Sequence, residues 1–324
     1  MSVTTTSADV LIRGEVWSDQ LKETIQDELN GSGFVQWVNF PDGSTYTIPS
    51  VGEATIRDYV EDTPLHFDAL DTGEFQLSTF NYKSSGLYIT KKMRQDSFYS
   101  ARLEASFVPK QTRAFAETLE TDILGLAMGG ASGGQTVSNL NTINGADHRW
   151  VTAGASGVIE TKDFAKVLYA LKKANVGQNV IGIVDPSVEY QLNTLSNIVS
   201  VSNNPRWEGV IADGLVSGMK FSKNIFGIDL YVSNYLPGAG ATGAGAETIN
   251  SVVMASGGVC NVFFSVADMA NIPFMGAWRQ QPEVESDYNM TYQREEYVLT
   301  SRYGLKVYRP ENLVVVINKS NQIA

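Results

Sequence analysis

The sequence predicts an α+β fold in two subdomains, one of them assembled from separated parts of the chain. Three observations lead there. Strand-like segments bracket an acidic stretch at residues 59–82. A long helical pattern follows over residues 95–128. The chain then passes through a mixed α/β middle and closes on a strand-rich run, residues 283–319.

The first element expected is a helix over residues 17–30, WSDQLKETIQDELN. Ser18 serves as its cap and Gly31 as its stop. Leu21, Ile25 and Leu29 recur every four residues and form a narrow stripe between charged faces. Such a helix adds little to a private core and suits a neighbour's surface. A strand begins at residues 44–52, STYTIPSVG, and pairing is expected to resume at residues 86–93, GLYITKKM. Between them, YVEDTPLHFDALDTGEFQLSTFNY holds Glu61, Asp62, Asp68, Asp71 and Glu74 without any Lys or Arg. Unpaired carboxylates cannot be buried cheaply, so this stretch reads as a long protruding hairpin loop.

Pro109 interrupts the long helical region, which predicts two helices or a kink. Beyond it, Phe115, Leu119 and Ile123 repeat every fourth residue, and GGASGGQ at residues 129–135 ends the helix. Residues 161–174 predict an amphipathic helix capped by Thr161, with Phe164, Val167, Leu168 and Leu171 buried. Residues 179–195 read as strand, turn and helix, with Asp185 as cap and Pro186 at the first helical position. Strands follow at 225–233 and 250–266. The Gly/Ala-rich segment 236–247 between them is expected to be a mobile loop. The terminal strands need an apolar partner, and the long helix is the natural one.

Composition narrows the function classes. The net charge of −11 argues against a protein that grips nucleic acid through a basic arm, though not against one that merely encloses it. The one cysteine, Cys260, rules out an internal disulfide and reads as a buried structural thiol. The N-terminus lacks the pattern of a secretory signal, and the longest apolar runs are too short to span a bilayer, so a soluble protein made in a cytosol is expected.

No catalytic pattern emerges. GGASGGQ lacks the Gly-Lys-Ser/Thr ending of a phosphate loop and follows a helix instead of opening one. His66 and His148, the two histidines, sit beside Asp68 and Asp147, but no GxSxG turn exists to carry a nucleophile. Both read as solvent-facing loop residues. The spacing of Asp68, Asp71 and Glu74 fits no calcium loop. No cofactor or metal is expected.

Three segments carry a resemblance: TIPSVGEATIRDYVED at 47–62, AETLETDILGLAM at 116–128, and SRYGLKVYRPENLVVV at 301–316. In this order they resemble the major capsid proteins of tailed bacteriophages, which have the Hong Kong 97-type fold, and the podovirus branch is the nearest likeness. The resemblance implies an N-terminal arm over 1–45 and an extended loop over 46–92. It implies a peripheral domain over 93–155 and 276–324 with a long spine helix, and an axial α/β domain over 156–275. It also implies self-assembly into hexamers and pentamers of an icosahedral shell in the virion, assembled in the host cytoplasm around double-stranded DNA. A scaffolding protein, a portal protein at one vertex and a decoration or cement protein are the implied partners.

On that reading the acidic loop lies against another copy, facing the densest basic cluster, Lys91, Lys92, Arg94, Lys110 and Arg113. Leu21, Ile25 and Leu29 contribute a second contact. The spine helix arrives too early for a fused scaffold, and the loop has no lysine for a covalent cross-link. An encapsulin-like nanocompartment shell is the alternative with the same fold. A soluble enzyme with a dispersed site is disfavoured by the shortage of histidines, and a tail or adhesion protein by the absence of repeats.

Overall fold

The computed structural model describes residues 31–39, 45–51, 56–62, 64, 67, 72–78, 81–96, 100–127, 142–152, 157–177, 179–194, 223–239, 248–249, 252–253, 258–268 and 271–319. The expected helix carrying Leu21, Ile25 and Leu29 lies outside these residues, as do Asp68, Asp71, His66 and the glycine-rich segment 129–135.

Two sheets organise the body. The first has four strands in the order β1-β15-β16-β4: β1 is Val35–Asn39, β15 Phe274–Asn289, β16 Arg294–Val307 and β4 Asn81–Thr90. β1 runs parallel to the start of β15, β15 and β16 form an antiparallel hairpin, and β4, from far earlier in the chain, pairs antiparallel with β16. The second has the order β7-β17-β14-β8-β10-β9, with β11 (Gly238–Ala239) attached to β14. Here β7 is Arg149–Val151, β17 Val314–Lys319, β14 Gly258–Ser265, β8 Val180–Val184, β10 Ile228–Val232 and β9 Lys223–Ile225, and two short antiparallel pairs lie apart from both sheets, β5 (Thr142–Ile143) with β6 (Ala146–Asp147) and β12 (Thr248–Ile249) with β13 (Val252–Val253).

Strand alternation explains how one sheet serves two cores. On β14, Cys260, Val262 and Phe264 face one cluster while Phe263 faces the other. On β17, Val315 and Ile317 face the first and Val314 and Val316 the second. The continuous apolar run is therefore a strand covered on both faces. Cys260 is buried, as expected.

Helix α2, Ser100–Gly125, covers the first face. Its Phe115, Leu119, Ile123 and Leu124 pack with Leu299, Tyr303 and Leu305 of β16, so the long helix does receive the terminal strands. Helices α3 (Thr161–Lys173) and α4 (Pro186–Thr194) cover the other face through Phe164, Val167, Leu171, Val188 and Leu192. Asp185 caps α4, its carboxylate accepting the Ser187 N–H at 2.9 Å.

Several expectations need correction. Pro109 does not divide the region into two helices: α2 runs through it, and the turns just beyond are held to the body by Gln111, which donates to the Ser85 and Tyr297 carbonyls at 3.3 Å, and by Phe115. The segment 91–93 is not strand: β4 ends at Thr90, and Lys91–Asp96 forms a separate short helix, α1. Its first N–H bonds the Gln293 carbonyl at 2.9 Å, which turns the chain there. The partner of β2, Thr45–Val51, is β3, Thr72–Ser78, drawn from within the acidic stretch. The cap of α3 is Glu160, one residue before Thr161; the Asp163 carboxylate accepts its N–H at 2.9 Å. The strand expected over 225–233 is a hairpin, β9 and β10, turning at Phe226–Gly227. His148 is buried, not solvent-facing. Its Nδ1–H donates to the Ala146 carbonyl at 3.1 Å, and its own carbonyl accepts from Val315, which ties the segment into the second sheet.

Candidate functional site

The hairpin of β2 and β3 stands on the four-stranded sheet. Leu77 is buried against Met275 and Ala277, with Tyr46, Ile48, Phe75 and Tyr308 packed around them. Lys306 donates to the Gln76 carbonyl at 2.8 Å and lies over the Phe75 ring. The base is thus tied to β15 and β16.

The far end of that hairpin is different. Ile56 is 95% exposed and Phe67 87%, and Tyr59 and Val60 are also open to solvent. Glu61 and Asp62 are exposed beside them, Asp62 in the left-handed region with φ 66°. Glu74 is exposed on β3, where it accepts from Gln76 Nε2 at 2.6 Å. Large apolar side chains held out on an anchored hairpin bury nothing in a lone molecule. Such a surface marks a contact with another molecule.

The expected basic cluster divides in two. Arg94 is engaged by Glu295, and Arg113 by Glu117 at 2.9 Å. Lys91, Lys92 and Lys110 are exposed and make no ion pair among the described residues. Beside Lys91, whose N–H bonds the Gln293 carbonyl, the turn between β15 and β16 exposes Met290 (82%) and Tyr292. Arg294 sits over Tyr88 at 4.6 Å and Tyr292 at 4.7 Å and bonds Glu296 at 2.5 Å. That hydrogen bond holds the Glu296 carboxyl below the usual carboxylate range. The composition, Tyr, Met and Arg, is that of contact surfaces. Sequence reading missed Met290 and Tyr292. The turn ahead of an Arg-Glu-Glu run was the available signal.

Among the described residues, no three His, Cys, Asp or Glu side chains gather to hold a metal ion, and no helix is long and apolar enough to cross a membrane. A polar cleft of about 560 Å³ lies beside Asn175, Asp268, Arg309 and Asn312. Asn312 is committed to holding the chain together. Its Nδ2 donates to the Ser265 and Asn271 carbonyls at 2.8 and 2.6 Å, and its Oδ1 accepts the Ser265 N–H at 2.8 Å.

The likenesses to known proteins agree with a contact-making subunit. Solved structures match across almost the whole chain. One from Mycobacterium phage Che8 has a TM-score of 0.65 at 18% identity, covering 93% of this chain and 96% of that one. The capsid structure of the cyanophage P-SCSP1u gives 0.68 at 15%, covering 94% and 92%. The mature capsid of bacteriophage PhiM1 gives 0.67 at 13%, covering 100% and 98%. At these identities the likeness establishes the fold, and it is the Hong Kong 97-type fold that the sequence resembled. No curated protein sequence matches the chain. The family model for phage capsid protein matches residues 82–316, from β4 and the long helix to the final strand. With that match over most of its length, and a surface built for contact, the chain belongs to the phage capsid protein family.

Proposed function

We propose that this major capsid protein closes into hexamers and pentamers, and these into an icosahedral shell around double-stranded phage DNA. The observation that carries the reading is the anchored hairpin with its apolar, acidic end held out in solvent. A hairpin reaching over the adjacent copy is a head-to-tail contact, which closes into rings when the rotation allows. An obligate contact of that kind buries on the order of 2,000 Å² or more.

In this arrangement residues 46–92 are the extended loop, with Glu61, Asp62 and Glu74 facing Lys91, Lys92 and Lys110 of the next copy. Residues 93–155 and 276–324 make the peripheral part and 156–275 the axial part. The strand β17 joins the two by pairing with β14. The chain is a structural protein of the virion, with no catalytic step of its own. Assembly takes place in the host cytoplasm with a separate scaffolding protein, a portal at one vertex and, on some shells, a cement protein. Nothing in the comparisons favours the encapsulin-like alternative.

Negative-stain microscopy and analytical ultracentrifugation of the full chain, with and without co-expressed scaffold, test this. Rings and closed shells are expected. A compact monomer under every assembly condition overturns it, and closed shells that load protein cargo in place of DNA favour the alternative.

A further inference from the structure

Helix α3 buries one side, through Phe164, Val167, Ala170 and Leu171. Its other side is basic. Lys162, Lys166, Tyr169 and Lys173 stand at i, i+4, i+7 and i+11, one stripe along the helix, and Lys172 flanks its end. The acid of this helix, Asp163, is turned inward and bonds Trp150 Nε1 at 3.2 Å. Lys166 is matched by Asp147 at 3.0 Å and rests over the Trp150 ring. Lys162, Lys172 and Lys173 are exposed and make no ion pair among the described residues. Tyr169, between them, is 57% exposed.

Two ordinary explanations cover only part of this. Cations in a last turn complement the helix dipole, which accounts for Lys172 and Lys173. Lys162 is the second residue of the helix, at the positive end, where the dipole disfavours it. General composition does not help either, because the chain carries a net charge of −11. A cationic stripe on an acidic protein points outward to an anion.

We infer that this face of α3 docks the phosphodiester backbone of nucleic acid, a step that rests on the reading of the chain as a shell around DNA. The chemistry fits a uniform polyanion better than a particular acidic peptide. The cations are lysines, point charges without the planar fork that pairs with single carboxylates. The stripe has no Arg, Asn or Gln to read a base edge, while a tyrosine hydroxyl serves phosphate oxygens. From Lys162 to Lys173 the helix rises about 16 Å, the span of about five phosphates of one strand. The contact is sequence-independent and salt-sensitive.

The test compares the native full chain with the triple variant Lys162→Gln, Lys172→Gln, Lys173→Gln. Binding of linear double-stranded DNA is followed over a salt series, and shells are counted by negative stain. Shells in normal yield are expected from both, with the slope of log affinity against log salt shallower in the variant by about 2.7, at about 0.9 per lost phosphate contact. Equal slopes and affinities overturn the inference. A variant that keeps its DNA slope but fails to form shells also overturns it, and assigns the stripe to an acidic segment of another copy. Failure of the native chain to form shells sinks the parent reading instead, which keeps the two failures apart.

Discussion

Both carboxylate oxygens of Glu120 accept the backbone N–H of Gly31, at 2.6 and 2.8 Å. Glu120 is fully buried near the C-terminal end of α2, and Gly31 opens the short 3-10 turn that leads into β1. The pair ties the entry into β1 to the long helix. A Cβ at position 31 would stand 3.0 Å from the carboxylate, so the glycine permits the close approach. Glu120→Ala is expected to lower stability by about 1–3 kcal/mol, the cost of a buried polar group left unmatched. Glu120→Gln keeps an acceptor and should lose less, and Gly31→Ala should also lower the melting temperature. Thermal unfolding of the full chain measures all three. An unchanged melting temperature in Glu120→Ala would refute this account.

Tyr303 gives a pH dependence. Its hydroxyl donates to Asp122 at 2.6 Å, and Asp122 also meets Lys83 at 3.0 Å. Burial, then the bond to Asp122 and that residue's charge, push the phenol well above its ordinary value. A raised folded-state value favours the protonated fold. This contribution is fully present below about pH 10, the value of an unfolded tyrosine, and is lost as pH rises further. Alkaline titration of the melting temperature should show a decline for the native chain that is smaller in Tyr303→Phe. At neutral pH that variant should lose about 1.5–3 kcal/mol, the range for a hydrogen bond to a charged group. Identical alkaline declines in the two proteins would exclude Tyr303 as the source.

Gly276 is a packing position. A Cβ there would fall 2.4 Å from the Trp37 ring, which stacks on Trp278 at 4.5 Å between centroids. Gly276 pairs directly with Trp37 across β1 and β15, so the ring has little room to move. Gly276→Ala should cost about 1–3 kcal/mol through overpacking and loosen β1. Amide exchange at residues 35–39 should then rise more than at residues 294–307. Exchange that stays as slow as in the native chain would show that the ring can shift.

The exposed end of the hairpin makes an assembly prediction. Glu61→Lys with Asp62→Lys should leave circular dichroism and melting almost unchanged, because exposed pairs are worth about 0–1 kcal/mol each. Shell yield should fall, since a shell repeats the contact many times and each loss adds. Native assembly should depend on ionic strength, with screening over about 8 Å at physiological salt. The apolar contacts of Tyr59 and Phe67 persist at high salt. Normal shells at normal yield from the double variant would mean that these carboxylates face water.

Local pattern made part of this protein legible. The spacing of Phe164, Val167 and Leu171 determined α3 and its buried side, because helical periodicity is written in consecutive residues. Phe115, Leu119 and Ile123 likewise marked the long helix, and the run Val314–Ile317 a strand. Asp185 before Pro186 fixed the start of α4. The order of these elements was enough to reveal the family likeness. The tertiary structure alone decided who meets whom. β2 pairs with β3 and not with β4, since both are strand-forming and only the sheet underneath, through Leu77 and Met275, selects the register. Arg94 and Arg113 are satisfied within their own chain by Glu295 and Glu117, whereas Lys91, Lys92 and Lys110 make no ion pair among the described residues. Nothing in the spacing around Glu120 marks it for burial, yet it is buried where a backbone N–H eighty-nine positions away arrives to meet it. Periodicity reports which side of an element is apolar; it carries no information on which distant group closes over a charge, and burial of charge depends on that closure.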